Sequence, residues 1–181
     1  MHKFLVLGSN SFSGSNFINL LLNKNYKVVG ISRSKEINKV FLTYKKYKNL
    51  KNFKFFKLNL NKNLDQIIKI VKNFKPNFIV NYAAQGMVAE SWEKPVDWYK
   101  TNILGQISFY KGLENLRFLK KIIHVTTPEV YGSSPKKITE NFNFNPSTPY
   151  AISRAATDIH LKKAYDYFKF PVVFTRTANV Y

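Results

Sequence analysis

The chain has 181 residues, of which 45% are hydrophobic and 16% aromatic, enough apolar surface for one globular domain and too much for a disordered one. It has no cysteine, which excludes disulfides and thiolate-bound zinc and suits a reducing compartment. A formal charge of +19 raises nucleic acid as a partner, but the cations are nearly all lysine, spread along a chain rich in Asn, Ile, Phe and Tyr. The excess reads as a bias of the whole composition, and nucleic-acid binding is not expected.

The first apolar run, Phe4-Leu5-Val6-Leu7, is too short and too soon interrupted by Gly8-Ser9-Asn10-Ser11 for a secretory signal. No run reaches membrane-spanning length, so a soluble, cytoplasmic protein is expected. Strands are predicted near 3–8, 27–32, 53–58, 77–82, 121–126 and 171–176. Helical patterns fill the intervals, beginning with Ser15 to Asn23. A second helix is predicted over 36–48, where Ile37, Val40, Phe41, Tyr44 and Tyr47 or Lys48 make a stripe. The lysine cluster Lys45-Lys46-Tyr47-Lys48, with Lys51 and Lys54, is then its solvated face. Leu64, Ile67, Ile68, Val71 and Phe74 mark a third helix. A long one starts at Pro95, a favoured first-turn residue, with Tyr99, Ile103, Ile107, Tyr110 and Leu113 on its inner stripe. The last runs from about Thr148 to Phe168. This rhythm predicts an α/β fold, a Rossmann-type doubly wound parallel sheet with helices on both faces. No repeat or linker divides it. His2, His124 and His160 stand too far apart for a metal site, and His124, inside the fifth strand, reads as packed or backbone-bonded.

Three segments carry chemistry. The first strand-to-helix turn is Gly8-Ser9-Asn10-Ser11-Phe12-Ser13-Gly14; terminal glycines allow a tight turn and a close helix, whose free amides can hold a pyrophosphate. With a strand before it and an amphipathic helix after it, the turn reads as a dinucleotide site. Thr126-Thr127-Pro128-Glu129-Val130-Tyr131-Gly132 follows the fifth strand, at the end where open α/β sheets place their ligands. It supplies a hydroxyl and a carboxylate, although a capped surface loop also explains Thr127 and Glu129. Tyr150 and Arg154, four apart, share a helix face, where a cation favours the tyrosinate and suits it to proton transfer.

Cofactor choice is read from Gly30-Ile31-Ser32-Arg33-Ser34-Lys35, at the end of the second strand. NAD binders usually place an acid there for the ribose hydroxyl, and this chain has none before Glu36. Arg33 between the hydroxyls of Ser32 and Ser34 suits a phosphate. NADP is therefore favoured over NAD, the alternative being that Arg33 is simply solvated.

At this point the chain resembles the extended short-chain dehydrogenase/reductases, and within them the NAD-dependent epimerase/dehydratase group acting on nucleotide sugars. The resemblance covers essentially all 181 residues. It rests on the glycine turn, Asn81-Tyr82-Ala83-Ala84-Gln85, Asn102-Ile103-Leu104-Gly105, the Thr126 to Gly132 loop, Pro149-Tyr150-Ala151-Ile152-Ser153-Arg154-Ala155-Ala156 and Arg176-Thr177-Ala178-Asn179-Val180-Tyr181. It implies that Gly8, Ser11, Phe12, Ser13 and Gly14 cradle the cofactor pyrophosphate, that Ala83, Ala84 and Gln85 line its path, and that Asn59 and Leu60 flank the adenine. Tyr150 would be the acid/base for hydride transfer at a sugar hydroxyl, helped by Thr127 and by the charge of Arg154 beside it. Glu129 matches the carboxylate that 4,6-dehydratases use to remove the sugar C5 proton, and Gln85, Thr127 and Asn179 would meet the substrate.

Three positions depart from the family pattern. Ser11 replaces the middle glycine, adding a side chain that could donate to the pyrophosphate. Arg154 replaces a lysine, exchanging a compact ammonium for a planar fork. Pro128 stands where sugar 4,6-dehydratases carry an acid or hydroxyl that helps expel the C6 hydroxyl, and it has no proton to give. Family members also continue beyond Asn179-Val180-Tyr181 into a region that grips nucleotide and sugar, so a fragment or truncated product is expected, residues 1–181 being the dinucleotide-binding domain. The resulting reading is a nucleoside-diphosphate sugar enzyme oxidising C4 transiently, leaning to a 4,6-dehydratase. The alternatives are a 4-epimerase or reductase and, in another class, a cofactor-binding protein without turnover. The resemblance further implies a homodimer through helices at 95–115 and 148–168, and no metal.

Overall fold

Six short runs rich in β-branched and aromatic residues pair in parallel, and the computed structural model describes them within residues 1–46 and 50–178. They are β1 (Lys3–Leu7), β2 (Lys27–Ser32), β3 (Phe53–Lys57), β4 (Phe78–Asn81), β5 (Lys121–Thr126) and β6 (Val172–Arg176), in the order β3-β2-β1-β4-β5-β6. The strand order reverses between β1 and β4, which is where a doubly wound sheet opens a crevice at its carboxyl edge.

Alternation along the strands sorts the core into two layers. Leu5 and Leu7 of β1 join Val29, Ile31, Ile79 and Ile122 on one face, covered by α2 (Leu64–Phe74), α5 (Gln106–Lys111) and α6 (Pro149–Phe168) through Ile67, Val71, Phe109 and Leu161. Val6 and Val28 point the other way, onto Ile18, Leu21 and Leu22 of α1 (Phe12–Asn23). The start of α6 is fixed locally: the Thr148 hydroxyl accepts from the Ala151 amide at 3.1 Å and Pro149 takes the first helical position.

Two predicted helices are corrected. Over 36–48 the chain makes two 3-10 turns, Lys39–Phe41 and Thr43–Lys46. The Asn38 side chain accepts from the Val40 amide and starts a turn in the middle of the pattern. Burial then follows Leu42 and Tyr44, two apart, while Val40 and Phe41 face solvent. Tyr47 and Lys48 lie outside the described residues. The long helix expected from Pro95 is also divided, into α4 (Pro95–Trp98), a wide π turn over Tyr99–Gly105, and α5, with a short α3 (Glu90–Glu93) before it. The buried face carries Asn102, Gln106, Phe109, Tyr110 and Leu113, with Ile103 and Ile107 only half-buried.

Behind β5 and β6 lies a buried polar cluster. His124 of β5 is fully buried; its Nδ1 lies 2.6 Å from the Tyr110 hydroxyl and its Nε2 3.4 Å from Asp158 of α6. Its partners are side chains rather than backbone. The other Asp158 oxygen meets Arg176 at 3.5 Å, and Arg154 donates to the Val125 carbonyl from the same cluster. The Arg176 guanidinium stacks on the rings of Tyr131, Phe142 and Phe144 at 5.0–5.3 Å, tying the loop after β5 to the sheet.

Asp158 is buried and pairs with Arg176 on one side and His124 on the other, so Asp158→Ala should lower unfolding free energy by about 3–5 kcal/mol in urea titrations. The exposed Tyr167→Ala should stay within about 0.5 kcal/mol. Burial, aided by the charges of Arg154 and Arg176, pushes His124 below its ordinary value of 6.5, against the pull of Asp158. The folded state therefore binds fewer protons than the unfolded chain once pH drops below the unfolded value. Stability present above that value should be lost as pH falls through the folded one, and His124→Gln should flatten the fall of the urea midpoint between about pH 7 and about pH 5.

Candidate active site

The crevice predicted by the strand reversal is a cleft of about 340 Å³ over the carboxyl ends of β1, β2, β3 and β4. Among the proposed cofactor residues it brings together Gly8, Ser11, Ser32, Arg33, Ser34, Asn59, Leu60, Ala83 and Ala84. Asn10, Asn61 and Thr101 complete its polar wall, and none of these three was expected from the sequence. No carboxylate lines it. Glu36, the nearest acid in sequence to β2, is drawn away to the Tyr44 hydroxyl at 2.8 Å and the Lys45 ammonium at 2.9 Å. Tyr44 is raised above the ordinary phenol range by burial and by that carboxylate.

The glycine turn is built by close approach. Gly8 has φ +78°, and a Cβ there would stand 2.9 Å from the backbone of Tyr82 and Ala83. A Cβ on Gly14 would press on the Gly8 carbonyl and come within 2.9 Å of the Ser11 hydroxyl. The Ser11 oxygen caps α1, accepting from the Gly14 amide at 3.0 Å while its proton goes to the Gly8 carbonyl at 2.7 Å. This corrects the expectation that Ser11 donates to a pyrophosphate: its hydroxyl proton is committed within the turn. The amides of Phe12 and Ser13, at the positive end of α1, have no acceptor among the described residues. Two free amides, a helix dipole and a wall without carboxylates fit a dinucleotide diphosphate. The Phe12 ring itself is exposed.

At the end of β2, the Ser32 hydroxyl accepts from the Asn10 amide at 3.0 Å and the Ser34 hydroxyl from the Asn10 side chain at 3.1 Å. Both keep a proton to give. On the opposite wall the β4 loop leaves the sheet, and helix side chains take over its backbone bonds. Ala83 donates to Asn81 at 3.0 Å and accepts from Gln106 at 2.6 Å. Gln85 donates to Asn102 at 2.8 Å and accepts from it at 2.9 Å. Asn81, Asn102 and Gln106 are positioning residues that hydrophobic periodicity misses. Their signal is three amide side chains in or beside apolar runs, where the loop amides need partners.

The second group sits beyond β5. Thr127 is buried and caps the 3-10 turn Pro128–Tyr131, its oxygen accepting from the Glu129 amide at 3.3 Å. Glu129 is exposed, and its carboxylate has no hydrogen-bond or ion-pair partner among the described residues. The plain reading of a capped loop accounts for Thr127's oxygen and for a solvated Glu129 carboxylate, and that carboxylate is left free to take a proton. Tyr150 lies in the first turn of α6 with its amide donating to Ser91 at 3.1 Å, and its phenol hydroxyl is unpartnered among the described residues. Arg154 departs from its expected place: it is buried, with its guanidinium directed to Val125 and His124 rather than left free in the cleft. Phe12, Ser13, Gly14, Gln85, Thr127, Glu129, Tyr150 and Arg154 do not line the cleft itself, and Asn179 lies outside the described residues. Among the described residues no group of three His, Cys, Asp or Glu is placed to hold a metal ion, and no helix is long and apolar enough to cross a membrane.

Residues 5–181 match the model of a family described as GDP-mannose 4,6 dehydratase. A dTDP-glucose 4,6-dehydratase of Xanthomonas campestris pv. campestris is 28% identical over 204 residues, covering 100% of this chain and 54% of that protein. Among solved structures, a dTDP-glucose 4,6-dehydratase of Bacillus anthracis in complex with NAD is 26% identical with a TM-score of 0.83, covering 100% of this chain and 56% of that one. The UDP-glucose 4-epimerase of Thermotoga maritima, solved with UDP-glucose, is 25% identical with a TM-score of 0.83, covering 99% and 56%. The chain spans about half the length of the curated relatives it matches. A glycine turn with free helix amides, a cleft at the strand reversal and a match over nearly all of its residues agree: the chain belongs to the GDP-mannose 4,6 dehydratase family, among the nucleotide-sugar dehydratases and epimerases of the extended short-chain dehydrogenase/reductases.

Proposed function

We propose that residues 1–181 form the dinucleotide-binding domain of a sugar-nucleotide 4,6-dehydratase acting on a nucleoside-diphosphate hexose. The observation that carries this reading is the Glu129 carboxylate, unpaired among the described residues, on a residue whose backbone amide is held by the Thr127 cap at the same carboxyl edge of the sheet as the cleft. Tyr150, its phenol oxygen unpartnered among the described residues, takes the proton of the sugar C4 hydroxyl as its phenolate. Thr127, whose oxygen already accepts from Glu129, keeps its own proton to hold the C4 oxygen. When bound, the dinucleotide supplies the hydride acceptor and donor for the changes at C4 and C6. The 4-keto group acidifies C5, and Glu129 removes that proton. Pro128 cannot protonate the departing C6 hydroxyl, so Glu129 passes to that hydroxyl the proton it has taken from C5, and water leaves; the proton that Tyr150 took from C4 then goes to C5 as the hydride would return to C6. Arg154 acts through the strand end, as a positioning residue and a buried charge one helical turn from Tyr150.

NADP over NAD is the finer reading, supported by a cleft wall without carboxylates, by Arg33 between two hydroxyls, and by the diversion of Glu36. A homodimer is supported by exposed Val96 and Leu104 along the divided helix and Ile152 and Ile159 on α6. The cytoplasm is the compartment that supplies both nucleotide sugars and dinucleotides. A second reading, a 4-epimerase or reductase, is favoured by the missing acid at Pro128 and by the likeness to an epimerase structure.

Incubating the protein with dTDP-glucose and dinucleotide should yield a 6-deoxy-4-keto sugar nucleotide, read by mass and NMR. Glu129→Gln and Tyr150→Phe should each lower kcat by about 10²–10⁴-fold while leaving dinucleotide affinity in place. A C4 epimer without loss of water would replace the dehydratase reading with the second one. Intact cofactor binding with an unchanged sugar pool would mean a binding protein without turnover.

A further inference from the structure

The cleft has a feature that diphosphate binding does not require. Arg33, just after β2, lines it, and Gln85, in the loop after β4, stands beyond the opposite wall, with the end of β1 between them. Their side chains meet: the Arg33 guanidinium donates to the Gln85 amide oxygen at 2.7 Å. Arg33 has no carboxylate partner among the described residues. Gln85, by contrast, is fixed through its backbone. Asn102 grips both its amide and its carbonyl, and Asn102 is itself held by the Ser153 hydroxyl at 3.0 Å and by Thr157. The wide turn over Tyr99–Gly105 carries Asn102 to that grip. Only the Gln85 side chain is left to reach across.

We infer that Gln85 is a specificity-determining residue: its amide oxygen holds Arg33 across the cleft as a latch that a ribose 2′-phosphate must open and a plain 2′-hydroxyl need not. The inference rests on the dinucleotide reading given above and adds to it a residue from beyond the far wall. The chemistry is an exchange of acceptors. A neutral amide oxygen gives guanidinium one hydrogen bond, whereas a phosphate gives two, charge-assisted. NADP therefore displaces Gln85 and gains, but only by the difference between the two bonds. NAD offers nothing that Arg33 prefers to the amide. The latch thus moderates a preference that Arg33 alone would make stronger.

The two ways of changing Gln85 have opposite consequences. Gln85→Ala frees Arg33 and should raise the ratio Kd(NAD)/Kd(NADP) about tenfold, mainly through tighter NADP binding. Gln85→Glu gives Arg33 an anionic partner that also repels a phosphate, and should lower the same ratio by about tenfold or more. In an Arg33→Ala background the Gln85→Ala shift should vanish and the Gln85→Glu shift should shrink to the direct repulsion, because a double-mutant cycle removes whatever passes between the two side chains. Calorimetric titration of the protein with NADP and, separately, NAD reads all six cases. Shifts of the same sign in both variants, no shift, or a Gln85→Ala shift that persists without Arg33 would overturn the latch while leaving the dinucleotide site standing. Failure of the unaltered protein to bind either cofactor would instead bring down the site reading, and the latch with it.

Discussion

The structure turns on a close approach of backbone to backbone at the first glycine turn. The amides of Gly8 and Ser9 both donate to the Ile31 carbonyl at the end of β2, at 2.8 and 3.2 Å, while the Gly8 carbonyl accepts from Ser11. Its Cα faces the start of the β4 loop with no room for a side chain. One residue thereby couples the ends of β1, β2 and β4, which are three walls of the cleft. Gly14, lying against the Gly8 carbonyl, brings the start of α1, with its two free amides and positive end, beside the turn that lines the crevice. The strained φ at Gly8 is accessible only to glycine without penalty, and the anion site follows from it.

Where the chain leaves the sheet after β4, a second device takes over. Its amides and carbonyls would be buried without partners, and Asn81, Asn102 and Gln106 satisfy them. Hydrophobic packing sets distance, whereas these bonds set direction. The Ala83-Ala84 backbone is aimed at the cleft and Gln85 is left with one free side chain. Behind β5, the Asp158 cluster gives the loop of Thr127 and Glu129 a stiff support of charge and stacked rings. Site and scaffold are thus joined by polar contacts laid over an apolar two-layer core.

Much of this is legible in the sequence because parallel strands buried on both faces read as continuous apolar runs, and because the glycine turn is a local motif whose geometry depends on few distant residues. The six strands and the reversal between β1 and β4 follow from that. The 36–48 segment fails because a stripe of apolar residues does not say which side will be covered; Asn38 and Glu36 make local bonds that win over the periodic pattern. The divided helix fails for a related reason. A π turn inserts an extra residue and rotates the buried face from Ile103 and Ile107 to Asn102 and Gln106, driven by a loop distant in sequence. Spacing places Arg154 on the face of Tyr150, yet its guanidinium finds a carbonyl in the interior, and Ser11 spends its proton within its own turn. Both are choices among hydrogen-bond partners, which residue type and spacing leave open.

The central claim is that the glycine turn makes a dinucleotide diphosphate site, and calorimetry of the protein beside its Gly14→Val variant tests it most directly. The claim requires the unaltered protein to bind NAD or NADP. It also requires the variant, its side chain forced against the Gly8 carbonyl and the Ser11 cap, to lose about tenfold or more in affinity while far-UV circular dichroism shows the fold retained. No binding by the unaltered protein, or equal binding by a folded Gly14→Val variant, would contradict it.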